Sequence, residues 1–241
     1  MSEISVLYLD DDLLVIDKPA GLRSIADGYD PSLPYLAGLL QAEYGHLWTV
    51  HRLDKDTSGV MVFARTADAH RHLNSQFEQR QVRKEYHALV LGRPNWEQHE
   101  VTLPLRINGD RRHRTVIDPA RGQPAATSLR VLARYPARPQ NHPGAYAPIS
   151  LIAAFPHSGY THQIRAHLAA LRLPVYADPL YKSQHPDDRA DQGLPIPDLP
   201  IQRTALHARR ITLTHPTSEQ QRTIDAAYPL DFQETLAFLT T

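Results

Sequence analysis

The residues best placed to do chemistry form one block, His51-Arg52-Leu53-Asp54-Lys55-Asp56-Thr57-Ser58-Gly59, followed at once by the apolar run Val60 to Ala64. A polar loop delivered by a buried strand can hold carboxylates and cations against a rigid scaffold. Asp54 or Asp56 could then act as nucleophile or proton acceptor. Residue type alone favours a plainer reading, in which both carboxylates cap and turn the chain through backbone N–H groups. His157, His162 and His167 invite a metal, with neutral imidazoles as ligands. A spacing of five turns a helix by about 500°, however, and leaves His162 and His167 roughly 140° apart. Helical metal pairs use i, i+4, so no metal is expected. Between residues 157 and 172, Arg165 and Arg172 stand without any Asp or Glu, and a cation there needs a carboxylate from elsewhere. Tyr86, in Lys84-Glu85-Tyr86-His87, reads by default as a half-buried sheet aromatic. Walker and dinucleotide-binding signatures are missing from the sequence.

The elements that must position these groups follow from pattern. Val6 to Leu9 and Leu13 to Ile16, separated by Asp10, Asp11 and Asp12, predict a strand, a turn and a second strand. Lys18-Pro19-Ala20-Gly21 breaks regular structure, and a helix is expected within residues 34 to 44. Val60 to Ala64 predicts a buried strand. Thr66 then caps a helix to about Gln79, with Ala69, Leu73 and Phe77 on one face. Glu85 to Leu91, Ser128 to Ala133 and Ile149 to Phe155 predict further strands, and the proline-rich stretch 138 to 148 a loop. An amphipathic helix is expected from Thr161 to near Leu173, with Ile164, Leu168 and Leu171 on one face. A loop or lid over 182 to 200, strands at Arg210 to Thr214 and Thr223 to Ala227, and a helix from Asp231 to Leu239 complete the chain. Mixed strands and helices without internal repeats predict an α+β fold around one sheet, read as a single domain over 1–241.

Composition narrows the chemistry. With no cysteine among 241 residues, disulfides, thiolate zinc sites and cysteine nucleophiles are all excluded. Neither a signal-peptide pattern nor a membrane-length apolar run is found, so a cytoplasmic protein is expected. Formal net charge is zero, which taken alone argues against a nucleic-acid partner. Its distribution is uneven. Residues 1 to 30 carry seven acids against Lys18 and Arg23, whereas residues 106 to 138 carry eight arginines against Asp110 and Asp118. A solvated face and a phosphate-tracking surface both fit that arginine stretch.

Taken in order, these segments resemble the pseudouridine synthases of the large-subunit rRNA and tRNA type. The resemblance runs through Asp17-Lys18-Pro19-Ala20-Gly21-Leu22, the block from His51 to Val60, and Lys84-Glu85-Tyr86. It continues through Thr161-His162-Gln163-Ile164-Arg165-Ala166-His167-Leu168 and Asp178-Pro179-Leu180-Tyr181, and ends at Leu206-His207-Ala208 with His215-Pro216. It implies the family's mixed, largely antiparallel central sheet flanked by helices and loops, with an active-site cleft across the sheet. It implies a cofactor-free and metal-free isomerisation of uridine in a 23S rRNA or tRNA stem-loop. Asp54 is then the nucleophilic carboxylate, Tyr86 the tyrosine beside the base and Arg165 the arginine that pairs with the aspartate. Arg52, Arg111, Arg112 and Arg114 would contact the RNA. Attack on the sugar, addition to the base and assisted elimination are all open to Asp54. The family's small N-terminal RNA-binding module has no counterpart in this sequence, and a monomer is expected. The pattern departs at Tyr160, where Arg or Lys is common, and at Ala177 and Lys182, which replace glycines. A catalytically silent RNA-binding protein of the same fold is the competing reading.

Overall fold

The computed structural model describes residues 4–137, 147–181 and 198–240. In chain order its strands are β1 (Ser5–Leu9), β2 (Leu13–Lys18), β3 (Trp48–Thr49), β4 (Ser58–Ala64), β5 (Arg83–Leu91), β6 (Gln98–Val101), β7 (Leu105–Arg106), β8 (Val116–Ile117), β9 (Thr127–Tyr135), β10 (Ile149–Pro156), β11 (Leu206–Thr214) and β12 (Gln221–Asp225). The helices are α1 (Leu36–Tyr44), α2 (Ala67–Glu78), α3 (Gln163–Ala170) and α4 (Leu230–Thr240). Contacts gather the chain into two compact units, one of residues 1–85 with 207–229, the other of 86–206 with 230–241. Strand pairing is mixed and mostly antiparallel, as the α+β expectation required.

In the first unit the acidic turn closes as its residue types predict: the Asp10 carboxylate accepts the N–H groups of Asp12 and Leu13 at 2.9 and 2.8 Å. The strands it joins, β1 and β2, pair antiparallel, and β2 pairs antiparallel with β4. Every residue of β4 and all but Asp17 of β2 are buried, which is why both read as unbroken apolar runs rather than alternating ones. β4 also runs parallel to β11, with Ser58 opposite His207 and Gly59 opposite Ala208. Gly59 has φ 112°, and a Cβ there would lie 2.2 Å from the Ala208 carbonyl oxygen, so the close approach admits only glycine. Thr66 caps α2 as predicted, its hydroxyl accepting the Ala69 N–H at 3.1 Å. Ala69 and Leu73 are buried on that helix together with Gln76, whose amide bonds both backbone groups of Thr214 at 2.7 and 2.8 Å and so anchors the end of β11. Phe77, expected on the same face, is half-buried and stacks on His51 with ring centroids 5.0 Å apart.

The second unit builds an antiparallel run in the order β5, β10, β9, β6, with β7 and β8 as a separate small ribbon. β6, β7 and β8 were not legible in the sequence: they are two to four residues long and carry no extended apolar alternation. α3 departs from its predicted amphipathic form. It spans only Gln163–Ala170, and Gln163 through Leu168 are all buried, so no polar face exists to give it a helical period. α4 is tied back by a bidentate ion pair from Arg203 to Asp231, at 2.7 and 3.1 Å. The loops expected over 138–148 and 182–200 fall almost wholly outside the described residues.

Candidate active site

Asp54 sits half-buried at the tip of the loop that feeds β4, between exposed Arg52 and exposed Lys55. Three residues from the end of β2 and the segment after it fix the backbone around it. The buried Ser24 hydroxyl donates to the Leu53 carbonyl at 2.7 Å and accepts the Leu53 N–H at 3.1 Å. The Gly21 N–H reaches the Lys55 carbonyl at 2.9 Å. Lys18, with none of its surface exposed, donates its ammonium to that same carbonyl at 3.0 Å and to the Pro19 carbonyl at 2.8 Å. A buried ammonium is costly unless hydrogen-bonded, so these carbonyls hold the lysine as much as it holds them. Downstream the loop is closed by the Thr57 N–H on the Asp54 carbonyl at 3.1 Å, and buried Ser58 meets His207 Nδ1 at 3.0 Å.

His51, which opens the block, accepts the Val62 N–H through Nε2 at 3.0 Å. Burial, reinforced by the nearby Lys84 ammonium, pushes its pKa down to about 3, so the imidazole is neutral at physiological pH. Lys84 is itself pushed down to about 8 by burial and by Arg80. Tyr86 follows on β5, opposite Ala154 of β10, half-buried as a sheet aromatic.

Arg165 is buried in α3, and the carboxylate its segment lacks is supplied by Asp178. Nε donates at 2.6 Å and Nη2 at 2.8 Å, a bidentate side-on pair. The same carboxylate accepts the N–H groups of Leu180 and Tyr181 at 2.9 and 3.2 Å. Burial alone would raise the Asp178 pKa, but the Arg165 bonds and charge and these two N–H groups together hold it below the usual range. The Arg165 guanidinium also lies over the Tyr181 ring, 5.1 Å from its centroid. Polar ties orient the helix: the Gln163 amide donates to the Ala126 carbonyl at 2.9 Å, and His167 meets Thr127 and the Leu103 carbonyl at 2.9 and 3.0 Å. His157 bonds Ser128 and His162 meets the Tyr181 hydroxyl, so the three histidines that invited a metal make separate contacts.

Comparison with known proteins decides what this arrangement belongs to. A family model described as RNA pseudouridylate synthase matches residues 12–170. The chain belongs to the RNA pseudouridylate synthase family. This pseudouridine synthase is 33% identical over 217 residues to the dual-specificity RNA pseudouridine synthase of Pasteurella multocida, covering 90% of each chain. It is 34% identical over 234 residues to tRNA pseudouridine synthase C of Haemophilus ducreyi, covering 96% of this chain and 93% of that one. Among solved structures it is similar to human RNA pseudouridylate synthase domain containing 4, with a TM-score of 0.70, 26% identity, and coverage of 98% and 93%.

In this pseudouridine synthase Asp54 and Arg52 lie in the first unit, and Tyr86, Arg165 and the arginine hairpin in the second. Arg114 and Arg165 both approach the Tyr181 ring, at 6.0 and 5.1 Å. Arg114 pairs with Asp110 at 2.7 Å and donates to the Leu180 carbonyl at 2.9 Å, which ties it into the protein; Arg111 and Arg112 are exposed, though Arg112 also reaches the Pro179 carbonyl at 3.3 Å. Sequence reasoning missed the work of Lys18, Ser24, Asp178 and Tyr181. For Asp178 a signal existed: it is the first acid downstream of the acid-free stretch around Arg165. Ala177, which replaces a family glycine, has φ 54°, the left-handed region in which glycine is at ease. Lys182, the other residue standing in place of a glycine, lies outside the described residues.

Proposed function

We propose that this synthase converts one or more uridines of 23S rRNA, tRNA or both to pseudouridine, with Asp54 as the nucleophilic carboxylate. The observation that carries the reading is the fixed backbone on either side of Asp54, held by Ser24 at Leu53 and by Lys18 and Gly21 at Lys55. A carboxylate whose reach is set in advance needs no reorganisation when a base arrives. The reaction breaks the bond from C1′ to N1, forms one from C1′ to C5, moves the C5 proton off and leaves one on N1. It is redox-neutral, so carboxylate, phenol and guanidinium suffice for its proton and charge movements.

Tyr86 stacks on the uracil and its hydroxyl serves the C5 proton transfer. Arg165 pairs with Asp54 and holds its charge in a water-poor site. The target nucleotide is flipped out of its stem-loop, with Arg52 filling the vacated space or meeting phosphate. Arg111 and Arg112 track the backbone, and Arg114 supports them. Both units work as one catalytic domain, a reading supported by the family match running through residues of each, and the protein acts as a monomer. The two RNA classes are supported by the names of relatives, one a tRNA pseudouridine synthase and one a ribosomal large subunit pseudouridine synthase.

Asp54→Ala tests the assignment. Pseudouridine formation on tRNA and 23S rRNA transcripts should fall below detection while RNA affinity stays near wild type. Product from the variant would overturn the role of Asp54, and wild-type protein that binds RNA yet forms none would favour the silent binder.

A further inference from the structure

Asp178-Pro179-Leu180-Tyr181 touches two elements at once, and every residue of it takes part. The Asp178 carboxylate takes Arg165 of α3. The Pro179 carbonyl accepts Arg112 Nη2 at 3.3 Å and the Leu180 carbonyl accepts Arg114 Nη1 at 2.9 Å. The Tyr181 hydroxyl accepts the Thr115 N–H at 2.9 Å, donates to the Thr115 carbonyl at 3.0 Å and meets His162 Nδ1 at 3.2 Å. Four consecutive residues thus join the arginine-bearing loop between β7 and β8 to the helix that carries Arg165.

We propose that Asp178 and Tyr181 are positioning residues for Arg165, fixing the plane and the face of its guanidinium within the loop-to-helix junction. The proposal rests on the reading that Arg165 serves the reaction. An arginine side chain has several rotatable bonds, and a charge that must meet a second carboxylate or a reacting nucleotide has to be aimed. Asp178 does this in plane: side-on pairing engages Nε and Nη2 together and so fixes the plane of the guanidinium. Tyr181 adds a second restraint, its ring face 5.1 Å from the guanidinium carbon and its hydroxyl locked on both backbone groups of Thr115. A buried ion pair is weak evidence for a gain in stability over apolar packing, so its benefit here is orientation.

The test uses the intact protein with single-turnover rates and RNA binding measured side by side. Asp178→Asn keeps the shape and removes the charge, and should slow conversion on the order of 100-fold, as misplacing a reacting group by about an ångström does. RNA affinity should change less than about threefold. Tyr181→Phe keeps the ring and removes the hydroxyl, and should slow conversion roughly tenfold at the same affinity. In an Arg165→Ala background neither change should cost more, since residues acting through one group are not additive. Wild-type rates in both variants, losses that add to that of Arg165→Ala, or RNA affinity falling in step with rate would each overturn the proposal. If Asp178→Asn does not fold, Tyr181→Phe decides by the same criteria. Full activity in Arg165→Ala would instead sink the role of Arg165 itself, a failure distinct from that of its positioning.

Discussion

His51 begins the polar block that carries Asp54, yet it is a structural acceptor: neutral Nε2 takes the Val62 N–H, and burial holds its pKa near about 3. An unfolded histidine titrates near about 6.5. Above that value both states are neutral and the contribution is fully present. Between the two values the unfolded chain binds a proton that the folded one refuses, so stability falls as pH drops, and the loss levels off below the folded pKa. Urea unfolding at pH 7 and pH 5 should show a destabilisation that shrinks in His51→Gln, and an unchanged difference would remove His51 as a cause. Ala177 makes a second prediction at this scale. Its left-handed backbone costs roughly 1–2 kcal/mol for a residue with a Cβ, against about 0.4–1 kcal/mol of extra unfolded-chain entropy for glycine. Ala177→Gly should therefore gain about 0.5–1 kcal/mol and raise Tm by roughly 1–4 °C in a chain of this size.

At the scale of elements, the decisive feature is that the segment after β2 holds the loop before β4. Ser24 alone supplies two hydrogen bonds to Leu53, and both are buried. Ser24→Ala leaves a buried N–H and carbonyl without that partner, which costs about 1–3 kcal/mol. The variant should unfold at lower urea and convert RNA more slowly than wild type, with binding unaffected. Wild-type rates in a measurably destabilised variant would show that Lys18 and Gly21 are sufficient to place Asp54. Gly59 has the complementary role at the other end of the loop, where β4 and β11 approach too closely for any side chain.

For the whole molecule, zero formal charge conceals a segregated one, and phosphate contacts rather than net charge set the salt dependence of RNA binding. Binding should weaken steeply as salt rises. Arg111→Ala and Arg112→Ala should each reduce the slope of log K against log salt by about 1, uniformly across RNA sequences. A slope unchanged in both variants would place the RNA elsewhere. Among the described residues no helix is long and apolar enough to cross a membrane.

What the sequence determined by itself was whatever is local or periodic. The Asp10 turn, the Thr66 cap and the buried runs of β2 and β4 depend on neighbours within a few residues, and the order of motifs that marks the family is read along the chain itself. α3 was misjudged because a helix buried all round has no polar face to betray its length, and β6 to β8 were too short to show a pattern. Tertiary structure alone decided the partners. Asp178 reaches Arg165 across 13 residues, Ser24 reaches Leu53 across 29, and Lys18 reaches Lys55 across 37. Buried polar groups must be satisfied, but which of many distant groups satisfies them is chosen only when the chain has closed on itself.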